Sequence, residues 1–121
     1  MVPWKRIRLE LAPTADEPRG SVSRAYLLQL PLCASGRIDP IVVQSNPLRA
    51  TARRYRASET DQSGYIVQAR ERWLCVHGPA ADAASEFASF ADCALAMGGT
   101  VGILEDAGVE LPFLVKAIEE C

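Results

Sequence analysis

The chain has 121 residues, 49% hydrophobic and 23% charged, with a formal net charge of −2 at pH 7. This length fits one domain over 1–121, able to bury a core without metal or disulfide staples. The composition excludes disorder, collagen and coiled coil, and no apolar run nears the ~18 residues that a bilayer span needs.

Met1 to Glu10 interleaves charge with apolar side chains, where an export signal has an unbroken apolar stretch. The expected location is therefore cytoplasmic, with no membrane partner. Cys33, Cys75, Cys93 and Cys121 are then expected as free thiols, since their spacing has no paired-ligand rhythm.

In chain order, Ile7, Leu9 and Leu11 alternate with Arg6, Arg8 and Glu10, the period-two pattern of a half-buried strand. Tyr26, Leu28, Leu30 and Leu32 repeat it, and Ala34-Ser35-Gly36 supplies a turn. Asp39 before Pro40 pairs a capping residue with proline at the first helical position, so a short helical turn is expected near 40–46. Thr51 to Arg56 reads as a strand polar on both faces. Tyr65–Ala69 and Trp73–His77 read as a hairpin around Arg70-Glu71-Arg72. The alanine-rich stretch Pro79–Met97 has period 3.6 through Ala80, Ala84, Phe87, Ala91 and Ala94, and predicts an amphipathic helix. A pair of short strands carrying Phe87, Phe90 and Leu95 is the competing reading. Finally, Val101 and Ile103 lead through Glu105-Asp106-Ala107-Gly108 into a returning strand with Phe113, Val115 and Ala117. The fold class is mainly β: six or seven short strands in a small barrel or a compact sandwich. A barrel leaves no exposed sheet edge.

Gly98-Gly99-Thr100-Val101-Gly102-Ile103, Glu105-Asp106, Gly108 and Pro112-Phe113-Leu114-Val115 together resemble the closing hairpin of a group of small bacterial barrel proteins. Gly36-Arg37-Ile38-Asp39 and Asn46-Pro47-Leu48-Arg49-Ala50-Thr51 are similar to the middle of the same group. The resemblance implies a barrel and brings no activity with it. The alanine-rich stretch departs from the strand pattern that the group implies.

Few chemistries survive inspection. His77 is the sole histidine, so a Cys–His or Ser–His nucleophile must use it, and Cys75-x-His77 is the one enzymatic arrangement on offer. A metal site needs three or four ligands, and no second cluster supplies them; no metal and no cofactor are expected. Gly98-Gly99-Thr100-Val101-Gly102 lacks the lysine and the following helix of a phosphate loop, and reads as a bend at a barrel corner. Asp16-Glu17, Glu105-Asp106 and Glu119-Glu120 read as solvated turn or terminal pairs.

Charge layout is the remaining signal. Residues 1–56 carry ten basic side chains against four acidic, and residues 57–121 carry three against eleven. Arg49, Arg53, Arg54 and Arg56 surround Tyr55, a set suited to pairing with carboxylates or phosphates while the ring stacks. These five residues are the candidate binding site of a non-enzymatic module for a macromolecular partner, foremost a protein. Single-stranded nucleic acid is the alternative, through the same strand with Trp4, Lys5, Arg6 and Arg8. Pairing of basic strands with acidic ones inside the fold competes with both. Between chains, the same complementarity would join homo-oligomers.

Overall fold

Period-two alternation carries through into space. Ile7, Leu9 and Leu11 are buried, while Arg6 is exposed and Arg8 and Glu10 are half-exposed. The computed structural model describes residues 2–78, 85–105 and 108–121. In chain order the elements are β1 (Trp4–Leu11), β2 (Ser21–Pro31), α1 (Pro40–Ser45), β3 (Thr51–Tyr55), β4 (Gln62–Ala69), β5 (Arg72–Val76), β6 (Glu86–Ala91), β7 (Thr100–Glu105) and β8 (Glu110–Glu120). The eight strands form a closed antiparallel barrel in sequence order, with β8 returning to β1. Eight strands leave a lumen that side chains can just fill. Trp73, Tyr26, Phe90, Phe113, Ile7 and Leu9 are the largest residues packed there. No helix among the described residues is long and apolar enough to cross a membrane.

One end of the barrel, where β2 ends and β3 begins, is stoppered by the chain between them. Leu32, Ile38 and Val43 join the core from this segment, and Leu95 joins them from the far side. The Asp39 carboxylate accepts from the Ile41 and Val42 amides at 3.0 and 3.1 Å, so the capping residue and Pro40 start α1 as their chemistry requires.

The strand count exceeds the expected six or seven because of β6, which corrects the helix expected over Pro79–Met97. Residues 79–84 lie outside the described residues, but Glu86–Ala91 is a strand between β5 and β7. Phe90 pairs with Trp73 and Ala88 with Cys75, so both take core positions at period two. Without this strand β5 and β7 would each present an open edge, and closure outweighs the helical preference of alanine. The competing strand reading holds for Phe87 and Phe90; Leu95 lies beyond β6, buried beside the isolated Arg37–Ala94 bridge.

Candidate binding face

Strand β3 explains where its arginines go. Its alternation turns Ala52 and Arg54 inward, at 2% and 3% exposure, and leaves Arg53 exposed on the outer side. The strand is thus polar outside and only half polar inside, not polar on both faces. The Arg54 guanidinium donates to the Phe87 carbonyl at 3.1 Å and lies 5.6 Å from the Phe87 ring centre. Outside, Arg53 sits 5.5 Å from the Tyr55 ring and 3.5 Å from the Asp61 carboxylate, a half-exposed pair. Arg49, after α1, lies 4.4 Å over the ring of Trp4. Arg56, just past β3, donates to Glu105 at 2.9 Å and stands 3.8 Å from Glu59. The five predicted residues therefore divide: Arg49, Arg53 and Tyr55 reach the outer side, Arg54 the lumen, and Arg56 the rim.

Glu105 organises that rim. It was expected to be a solvated turn residue, yet only 7% of it is exposed. The Tyr26 hydroxyl donates to it at 2.5 Å and Arg24 at 3.1 Å, alongside Arg56. Glu105 is the last residue of β7, and its side chain turns into the barrel mouth and not out to solvent. Its expected partner Asp106 lies outside the described residues. Burial, reinforced by the hydrogen bond to this carboxylate, drives the Tyr26 hydroxyl far above the usual tyrosine range. Burial opposes the Arg56 charge, but the Glu105 carboxylate outweighs it and the net shift is upward.

The Cys75-x-His77 arrangement does not assemble as a nucleophile pair. Cys75 is 1% exposed within the lumen, and burial pushes its thiol up to about 12. A nucleophilic cysteine needs the opposite shift. His77 follows the end of β5 and is exposed outside, its ring 4.8 Å from that of Phe87. Among the described residues no group of three or more His, Cys, Asp or Glu could hold a metal ion.

A groove of about 500 Å³ runs over the outer side of β1–β4. Strand register builds it. Arg6, Gln29, Thr51 and Tyr65 form one cross-strand row; Leu27, Arg53 and Ser63 form the next. Leu48 and His77 complete its walls, and among the described residues no carboxylate lines it. Gly64 lets His77 come close: a Cβ at Gly64 would stand 1.9 Å from the Val76 carbonyl oxygen and 3.2 Å from the His77 Cα. Arg53 was anticipated here, and Arg6 belonged to the nucleic-acid alternative. Gln29, Ser63 and Tyr65 were missed, because only cross-strand register brings them beside Arg53.

The nucleic-acid set is dispersed. Trp4 is 9% exposed beneath Arg49, Lys5 pairs with Glu120 at 3.2 Å, and Arg8 pairs with Glu10 at 2.8 Å. Comparison with protein-family models, with curated proteins and with solved structures finds no match to this chain.

Proposed function

We propose that the chain is a non-enzymatic cytoplasmic binding module that takes an acidic segment of a protein partner along the outer side of β1–β4. The observation that carries this reading is the groove flanked by Arg6 and Arg53, with no lining carboxylate among the described residues. Opposite charge in such a cleft steers an acidic segment and fixes its register. Asp61 holds Arg53 only through a half-exposed pair, and exposed pairs contribute little, about 0–1 kcal/mol. A partner carboxylate can therefore replace it at small cost.

Nucleic acid is the weaker reading, because Trp4 is covered by Arg49, and Lys5 and Arg8 are paired with Glu120 and Glu10. Stacking platforms and unpaired cations along a strand are what such binders use. Fluorescence anisotropy with a labelled glutamate-rich peptide and a labelled oligothymidine separates the two. The peptide binds the wild-type chain more tightly, and the double variant Arg6→Glu/Arg53→Glu loses it. Tighter binding of the oligonucleotide, or peptide binding indifferent to the double variant, contradicts the proposal.

A further inference from the structure

The geometry points to a phosphate monoester as the group held between Arg6 and Arg53, carried on a side chain of the docking protein segment. This inference rests on the acidic-segment reading and names the chemistry at its centre.

The donor inventory favours phosphate over carboxylate. A carboxylate offers two oxygens, which a single guanidinium fork satisfies. A phosphate monoester brings three terminal oxygens and a charge of about −1.5 to −2 at neutral pH. The groove supplies two guanidinium groups, the hydroxyls of Thr51, Ser63 and Tyr65, and the His77 imidazole, while the Gln29 amide already donates to the Arg49 carbonyl at 2.9 Å. That is more donor capacity than a carboxylate can use.

Spacing is compatible with one shared anion. Arg6 and Arg53 stand on strands two apart and one row out of step. With strands ~4.8 Å apart and a rise of ~3.4 Å per residue, their Cα atoms are about 12 Å apart. Two long guanidinium arms can meet a tetrahedral group across that span. Leu27 and Leu48 add an apolar wall, and Leu48 is 65% exposed, a surface that the stem of the modified side chain would cover. Two carboxylates neighbour the arginines, Asp61 beside Arg53 and Glu119 opposite Arg6 in the β1–β8 register. Neither lines the space where the phosphate would sit.

His77, the sole histidine, gives an unambiguous reporter. The labelled 121-residue chain is titrated at fixed pH with a peptide bearing one phosphorylated residue, with the same peptide carrying glutamate at that position, and with inorganic phosphate. The phosphopeptide should bind roughly tenfold or more tightly than the glutamate peptide. It should move the His77 imidazole resonances in a saturable way. Arg53→Gln, a change at an exposed position, should remove most of that advantage. Equal affinity for the two peptides with an unmoved imidazole overturns the phosphate inference and leaves the acidic-segment reading standing. Failure of both peptides overturns both. Inorganic phosphate binding as tightly as the phosphopeptide contradicts a protein segment as the source.

Discussion

At the scale of single residues, the barrel mouth depends on one buried carboxylate. Glu105 accepts from Tyr26, Arg24 and Arg56, so its desolvation is offset by three donors. Tyr26→Phe keeps the ring that packs edge-on to Phe113 at 5.1 Å and deletes only the hydroxyl. The loss should cost about 1–3 kcal/mol in urea denaturation, because the buried acceptor keeps only its arginines. Cysteine reactivity should divide just as sharply. Cys121 is exposed and Cys75 buried, so alkylation of the native protein at pH 8 followed by mass spectrometry should label Cys121 and spare Cys75. Prompt labelling of Cys75 would contradict its place in the lumen.

At the scale of elements, Gly64 is the position where β4 and β5 have no room to spare. Gly64→Ala would set a methyl against the Val76 carbonyl and push the two strands apart, displacing His77 from the groove wall. A loss of roughly 3 kcal/mol is expected, together with weakened peptide binding; an unchanged urea midpoint would contradict the close approach. Much of the strand layout was legible, since inward residues such as Ile7, Leu9 and Leu11, or Val101 and Ile103, alternate cleanly. The α1 start was legible too, because Asp39 and Pro40 act through local chemistry. Strand β6 was not: its alanines satisfy a helical period as well, and what decides is the gap between β5 and β7 that it fills. The same limit hid the groove. Arg53 next to Ser63, and Thr51 next to Tyr65, are neighbours only by pairing across strands. Likewise no local pattern reveals that Arg54 points into the lumen, or that the Glu105 side chain is buried in the mouth.

At the scale of the whole molecule, the basic first half and the acidic second half are sewn together. Lys5–Glu120, Arg24–Glu105, Arg37–Asp92, Arg53–Asp61 and Arg56–Glu105 all join one half to the other. Half of the ten basic side chains of residues 1–56 are thereby engaged across the two halves; among them Arg53, held by a half-exposed pair, lines the groove beside Arg6. The interior imposes an alkaline limit on stability. Tyr26 and Cys75 both have folded values above their ordinary ones, so the fold favours their neutral forms. That contribution is complete below the unfolded thiol range and is lost as pH rises from about 9 toward the folded Cys75 value of about 12. The Cys75 share falls by about 1.4 kcal/mol per pH unit within that window. The urea midpoint should therefore drop between pH 8 and pH 10, and Cys75→Ala should flatten the slope; an identical slope in the variant would contradict the buried thiol.

The most direct test of the binding face is a map of backbone amide shifts as a glutamate-rich peptide is added to the 121-residue chain. The predicted result is a contiguous set of changes over Arg6, Gln29, Thr51, Arg53, Ser63, Tyr65 and His77, all of which line the groove. Changes confined to the stoppered end around Cys33 and Leu95, or to the mouth around Glu17 and Val109, would contradict it.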